Sequence, residues 1–377
     1  MSLFKSNPAS GIDEVMVRSL KDLKSTGQAS INNRTESSIK EIISYTISSD
    51  NPLDRILRNP ARKNNLVAQI AETAWIISGS RDLVYLSPFL PRAINYSDDQ
   101  ISWRAGYGRI SYLEVNPPKD FLVTRSEGED FLLFPKVYSR KFKVNQVKNV
   151  IDILTQDPSS RQAYIVIPIA GDNLVTNETL DTPCTLSVQF LIRNNKLHCI
   201  TNMRSNDVIF GLTGINYFEW TFLQELVASI LCVEVGTYFH NAGSLHIYER
   251  HFDVMDKILF EEESPNKFDI NKHIPVNETS WKNLDSNLSA YIELFNRILN
   301  PLTGRLKESL SEFALTRSMN SYLVIPLLQL AFLKNKLAAS EIMEILSPEV
   351  IRKDSHLWEG LLKSDKFFIG GFLNKQK

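Results

Sequence analysis

Residues 184–207 read CTLSVQFLIRNNKLHCITNMRSND, and no other stretch constrains the fold as tightly. Residues 185–193 and 196–203 are strand-like runs, and Asn194-Asn195 between them is a turn-forming pair. The pattern predicts a β-hairpin whose open end carries Cys184 on one arm and Arg204-Ser205-Asn206-Asp207 on the other. Contact between thiol and guanidinium is then permitted. A nearby guanidinium favours the thiolate, which is the reactive form of cysteine. Spacing alone does not decide for a nucleophile, because a lone cysteine before a strand is more often a small core residue.

Helical and strand-like patterns alternate around the hairpin without a strict rhythm. Ile12, Val15, Met16, Leu20 and Leu23 share one face of a helix over 12–25, with Gly27 as its stop. A loop, SINNRTESS, leads to a strand-like run over 39–48. Residues 65–79 and 144–158 are helical, the latter stopped by Pro158, and 163–169 is a strand. Residues 216–232 read as a buried helix and 236–248 as strand and loop. From 280 to 377 the chain is almost wholly helical, with Ser347-Pro348 opening one helix. This order favours an α+β fold with a central sheet.

The 42 Lys and Arg residues nearly balance the 43 Asp and Glu, which argues against a bulk nucleic-acid partner. Cys184, Cys199 and Cys232 form no CxxC pattern, and the histidines no metal spacing, so neither disulfides nor a metal is expected. The N-terminus lacks an apolar signal core. The apolar run 322–333 is shorter than the roughly 20 residues of a membrane span, so a cytoplasmic protein with no membrane partner is expected.

Pro183-Cys184, Arg204-Ser205-Asn206-Asp207, Gly211-Leu212, Asn216 and His246-Ile247-Tyr248, in that order, closely resemble the thymidylate synthase family. Where that family has Gly-Leu-Pro-x-Asn, this chain has Gly-Leu-Thr-Gly-Ile-Asn, one residue longer. The resemblance continues upstream. NNRTES places Arg34 in the phosphate loop, and IAETAWIISG places Glu72 on the catalytic helix. ISWRAGYGRI supplies Trp103 and Tyr107, and DPSSRQ supplies Arg161. The match covers roughly 12–262, implying a catalytic domain over 1–262 with an insert at about 111–143, then a mostly helical extension over 263–377.

What the resemblance implies is one-carbon transfer to C5 of a uridine-type nucleotide. Cys184 would add to C6 of the ring and so activate C5. Arg204 would support the thiolate and, with Arg34 and Arg161, bind phosphate. Glu72 and Tyr107 would move the C5 proton. Asn216 would read the N3–H and O4 of uracil, while Glu219 three residues on also makes it a near capping box. Ser205, His246 and Tyr248 would bind the nucleotide, the last two from one face of a strand. Asp207, Trp103 and Gly211 would face 5,10-methylenetetrahydrofolate, with Asp207 also ordering water. The family implies a homodimer in which Arg161 serves the other subunit's site.

Three departures bear on the outcome. Gln162 replaces a second arginine at the phosphate. Thr213-Gly214-Ile215 replaces a Pro-aromatic pair on the folate side, leaving Phe210 or Phe218 as the substitute wall. The short apolar tail that closes over folate is absent, and added helices stand there instead. The first expectation is methylation of dUMP or UMP. The second is C5 hydroxymethylation of a pyrimidine nucleotide, dUMP/UMP or dCMP/CMP, on the same scaffold, should water intercept the exocyclic carbon. A third is a non-catalytic nucleotide-binding or assembly protein.

Overall fold

The computed structural model describes residues 7–32, 37–111, 113–115, 122–124, 130–132, 142–169, 172, 179–261, 284–300, 304–316 and 320–353. Its centre is a seven-stranded mixed sheet in the order β1-β2-β11-β9-β8-β7, with β10 beside β11. These strands are β1 (Gln28–Asn32), β2 (Ser37–Ser49), β7 (Tyr164–Val166), β8 (Thr185–Arg193), β9 (Lys196–Met203), β10 (Asn206–Asp207) and β11 (Glu234–Tyr248). β11 runs parallel to β9 and β10 and antiparallel to β2. The β8–β9 hairpin forms as the alternation requires, with Asn194 and Asn195 both left-handed at its turn (φ 51° and 58°).

Four helices bear on the site: α1 (Ile12–Thr26), α2 (Leu66–Ile77), α4 (Gln146–Gln156) and α5 (Tyr217–Ile230). α1 shows an ordinary amphipathic stripe and packs on β2. α2 and α5 are different, because every residue of α2, and Tyr217–Ala228 of α5, is buried. A helix apolar all round must be enclosed on all sides. α5 lies between the sheet and α2, and the outer face of α2 is covered by the Asn320–Leu333 helix.

The structure departs from the sequence expectation at several boundaries. The SINNRTESS loop begins inside β1, since the sheet recruits Ser30–Asn32 as an edge. The strand-and-loop stretch is one continuous strand, β11, with a bulge between Val235 and Tyr238. The insert holds four three-residue strands, β3 (Leu113–Val115), β4 (Leu122–Thr124), β5 (Asp130–Leu132) and β6 (Phe142–Val144), paired β3–β6 and β4–β5. The expected helix over 216–232 starts earlier: Val208–Asn216 is a π-helical turn that runs into α5.

The C-terminal region is helical as expected, with helices Leu284–Leu299, Leu306–Thr316, Asn320–Leu333, Ala339–Ile345 and Pro348–Lys353. Residues 354–377, which end in FFIGGFLNKQK, lie outside the described residues. Among the described residues no helix is long and apolar enough to cross a membrane.

These helices are joined to the rest of the chain by a buried pair. The hydroxyls of Tyr85 and Tyr291 lie 2.6 Å apart, with the Phe295 ring tilted against Tyr85 at 4.6 Å between centroids. Tyr291→Phe strands the Tyr85 hydroxyl and should cost about 1–3 kcal/mol of unfolding free energy. The double variant Y85F/Y291F should recover most of it. Urea titration of the three proteins tests this, and independent costs in the two single variants would refute the pairing.

Candidate active site

Cys184 and Arg204 meet where the hairpin opens. The backbone N–H of Arg204 donates to the Cys184 carbonyl at 2.8 Å, continuing the ladder by one step. The guanidinium then folds back onto the other arm. Nε donates to the Pro183 carbonyl at 2.9 Å and Nη2 to the Thr182 carbonyl at 3.1 Å. Nη2 also lies 3.5 Å from the Cys184 sulfur. Two backbone carbonyls thus aim the cation at the thiol, which is half-buried rather than enclosed.

Tyr107 sits at the start of a 3₁₀ turn, and its hydroxyl accepts the Thr185 backbone N–H at 3.1 Å. Burial, then the nearby charges of Cys184 and Glu219, hold the phenol protonated well above its ordinary range. Tyr107 is therefore placed beside both the thiol and a second acidic group.

That group belongs to a buried carboxyl pair. Glu72 comes from α2, whose first turn is fixed by the Asn65 side chain accepting the Ala68 N–H at 3.1 Å. Burial among apolar residues pushes the Glu72 carboxyl up to about 8. Glu219 comes from α5 and is 2 % exposed. Its pKa is raised well above the carboxylate range by burial and then by the charge of Glu72. Glu225, two turns along α5, is equally buried, but Arg55 meets it at 2.6 Å, so there a counterion balances the charge.

Asn216 is not the helix cap that the sequence pattern suggested. Its backbone is helical (φ −67°, ψ −36°), and no side-chain cap bond forms. It closes the π turn, in which the Tyr217 N–H reaches back five residues to the Leu212 carbonyl. Its Nδ2 donates to Glu219 Oε1 at 2.7 Å, and its Oδ1 accepts from Asn206 Nδ2 at 2.7 Å. Gly211 is what lets these amides meet, since a Cβ there would lie 2.6 Å from Asn206 Nδ2 and 3.3 Å from Asn216 Oδ1.

A third group gathers round Asp207. Its Oδ1 caps the π turn, accepting the N–H groups of Ile209 at 2.6 Å and Phe210 at 2.7 Å. Its Oδ2 is buried with no hydrogen-bond partner among the described residues. The β10–β11 register sets Asp207 opposite His246, whose ring meets Tyr248 edge-on at 5.2 Å. Burial lowers the pKa of His246, against the pull of Asp207. Arg62 approaches from the other side and donates to the Ile209 carbonyl, and burial brings its pKa down to about 10.

The remaining expected residues fall as follows. Ser205 is half-buried between β9 and β10. Trp103 is half-buried, its Nε1 bonded to the Ala93 carbonyl at 3.0 Å and its ring edge-on to Trp75 at 5.5 Å. Arg161 is exposed on the turn before β7, where its carbonyl accepts from Gln189 Nε2 at 3.0 Å. Arg34 lies outside the described residues. On the folate side, Phe218 is 2 % exposed and packs on Arg55, so it is no wall, whereas Phe210 is 52 % exposed and meets His251 edge-on. The Thr213 hydroxyl is taken up by the Val208 carbonyl at 2.7 Å.

Sequence reasoning missed Glu219, Asn206, His240 and Arg62. Glu219 had a signal: a carboxylate set in YFEWTFLQEL has no solvent face to occupy. The others are polar residues whose partners come from other elements, and nothing local marks them.

Comparison with known proteins places the chain in a family. The family model described as thymidylate synthase matches residues 16–294, so the chain belongs to the thymidylate synthase family. It is 29% identical over 274 residues to a protein of Delftia phage PhiW-14 named deoxyuridylate hydroxymethyltransferase. That match covers 70% of this chain and 68% of the relative. A Bacillus phage SP01 protein of the same name is 30% identical over 285 residues, covering 75% of this chain and 65% of its own length. The thymidylate synthase of Bacillus subtilis subsp. natto is 36% identical over 121 residues, 32% of this chain and 42% of its own. The chain thus spans about two thirds of the two phage relatives' length.

The pKa of Glu72 predicts a pH dependence. Because it is raised in the fold, the folded chain holds a proton that the unfolded chain has released above about pH 4.5. Stability should therefore fall as pH rises from about 4.5, and level off above about 8. Glu72→Gln removes the titration and should gain on wild type by at most about 1.4 kcal/mol per pH unit across that window. Melting temperatures of both proteins from pH 5 to 9 check the sign, and a constant difference would contradict it.

Proposed function

We propose that this protein hydroxymethylates C5 of a uridine-type nucleotide, dUMP being the substrate the phage relatives' name suggests. The observation that carries one-carbon transfer is the Cys184 sulfur 3.5 Å from a guanidinium anchored on two carbonyls, with the Tyr107 hydroxyl bonded to the adjoining Thr185 N–H. A binding protein gains nothing from a thiol supported in this way.

In this reading the Cys184 thiolate adds to C6 of the pyrimidine, breaking the C5–C6 double bond and making C5 nucleophilic. Arg204 supports the thiolate and, with Arg34 and an Arg161 reaching across the proposed dimer, binds phosphate. Ser205, His246 and Tyr248 hold the nucleotide, and Asn216 reads its ring edge. Methylenetetrahydrofolate, when bound, supplies the one-carbon unit. The residues suit it: Asp207 Oδ2 is a buried acceptor without a partner, next to the exposed Phe210 ring. Once C5 carries the carbon, Glu72 and Tyr107 relay the C5 proton away as the C–N bond to the folate breaks, leaving an exocyclic methylene on the ring still bound to Cys184. A water held by Glu72 then adds to that methylene, and Cys184 leaves C6 as the C5–C6 double bond re-forms. The balance is nucleotide, methylenetetrahydrofolate and water in, and hydroxymethyl nucleotide and tetrahydrofolate out, with no net oxidation.

Two observations favour water over hydride at the last step. Thr213, Gly214 and Ile215 present no aromatic ring to the folate, so the pterin that would deliver hydride is less tightly held. The phage hydroxymethyltransferases also match along more than twice the length of the bacterial synthases. The exposed Ile31, Ile43, Tyr164 and Leu186 on the sheet's strands support a homodimer formed through the sheet. No metal is called for.

Incubation with dUMP and methylenetetrahydrofolate should give a product heavier than thymidylate by one oxygen, with no dihydrofolate formed. Dihydrofolate in equal amount to product would establish methyl transfer instead. Cys184→Ser should lose at least about a thousandfold in rate, by the scale of losing an activated nucleophile. It should also fail to form the covalent complex that wild type makes with 5-fluoro-dUMP and the folate.

A further inference from the structure

Glu219 is the terminus of a buried hydrogen-bond chain that runs across the sheet to the pyrimidine-reading amide. The Tyr238 hydroxyl lies 2.9 Å from His240 Nδ1, and His240 Nε2 lies 3.1 Å from Asn206 Oδ1. Asn206 Nδ2 donates to Asn216 Oδ1 at 2.7 Å, and Asn216 Nδ2 donates to Glu219 Oε1 at 2.7 Å. Tyr238, His240, Asn206, Asn216 and Glu219 are all buried, so water does not compete for these bonds.

Such a chain has two directions. A carboxamide can be turned over, exchanging its oxygen and its NH₂. A neutral imidazole can carry its proton on either nitrogen, and burial keeps His240 neutral, its pKa lowered to about 3. A tyrosine hydroxyl donates or accepts. All four groups can therefore reverse together. An acceptor oxygen on Glu219 is what breaks the symmetry. Its Oε1 takes the Asn216 donor, while Oε2 is buried with no hydrogen-bond partner among the described residues, on a carboxyl that feels the charge of Glu72. The site therefore favours the carboxyl proton on Oε2, leaving Oε1 to accept.

The direction matters because an amide has two lone pairs and two N–H groups. The chain occupies one of each on Asn216. What remains for a ligand is one acceptor on the Oδ1 side and one donor on the Nδ2 side. Uracil offers N3–H and O4, and cytosine offers the reverse pattern at the same two positions. In a fixed pocket, one amide orientation matches uracil and the other matches cytosine.

We propose that Glu219 is a specificity-determining positioning residue: by fixing the orientation of the Asn216 amide through Oε1, it makes the site select uracil over cytosine nucleotides. This rests on the pyrimidine-nucleotide reading above. Glu219 need not touch the substrate, and Asn206 and His240 transmit the same constraint from the other side.

The test is binding of dUMP and of dCMP to the full chain, measured by calorimetry on wild type, Glu219→Gln and Glu219→Met. Wild type should prefer dUMP by about tenfold or more, the scale set by one edge of matched hydrogen bonds. Glu219→Gln should keep that preference, because its NH₂ suits the position facing Glu72 and its oxygen stays with Asn216. Glu219→Met keeps the length but removes the acceptor, and should bring the preference to within about threefold of unity, by tightening dCMP as well as weakening dUMP. Should Glu219→Met fail to fold, Asn206→Ser breaks the chain on the oxygen side and reads the same ratio. A folded variant that keeps the wild-type preference without the chain overturns the proposal. Wild type that binds neither nucleotide overturns the pyrimidine reading itself, and the proposal with it.

Discussion

The site depends on the cost of putting carboxyl groups where water cannot reach them. α2 and α5 are apolar on every face, yet each carries an acid inward. α5 shows both solutions to that problem. Glu225 keeps its charge by pairing with Arg55, which is itself held between the rings of Phe218 and Phe222. Glu219 has no such cation, and an amide N–H meets one oxygen only. The first is architecture, since replacing either partner strands a charge. The second holds its proton, kept there by burial and by the charge of Glu72.

The family motifs had to be held in position while the chain between them changed. One residue has been added between Gly211 and Asn216. In an ordinary α-helix an added residue rotates everything after it by about 100°. Here the extra residue is taken up as a π turn, closed by the five-residue bond from Tyr217 to Leu212. α5 and Asn216 therefore enter the core in phase with Asn206, and Asp207 seals the start of the turn with two N–H bonds. The insertion was readable as an offset in the sequence, but its absorption as a π turn was not. No local propensity encodes a five-residue bond.

What could be read in advance follows the reach of each signal. The β8–β9 hairpin was legible because alternation and a turn pair are local, and its ends then put Cys184 next to Arg204. The helix that carries Glu72 was legible from its spacing, and Asn65 ahead of it is an ordinary cap. Only the capping-box reading of Asn216 and Glu219 failed, because an amide three residues before a glutamate looks like one locally. The structure spends both side chains on each other instead. Asn206 and His240 come from β10 and β11, whose pairing only the whole sheet determines.

The C-terminal helices complete the same logic from outside. A raised carboxyl pKa persists only while solvent stays excluded, so α2 needs cover on the face turned away from α5. The Asn320–Leu333 helix gives it, and Leu288 and Leu323 close with Ile70, Thr73, Ala74 and Ile77 around a small apolar crevice. Tyr85 and Tyr291 pin this layer through a bond that neither could replace with water. The described part of the added region thus acts on Glu72 from behind, by keeping its helix dry. The Glu72 carboxyl is held in its protonated form by the static packing of helices on both sides of α2.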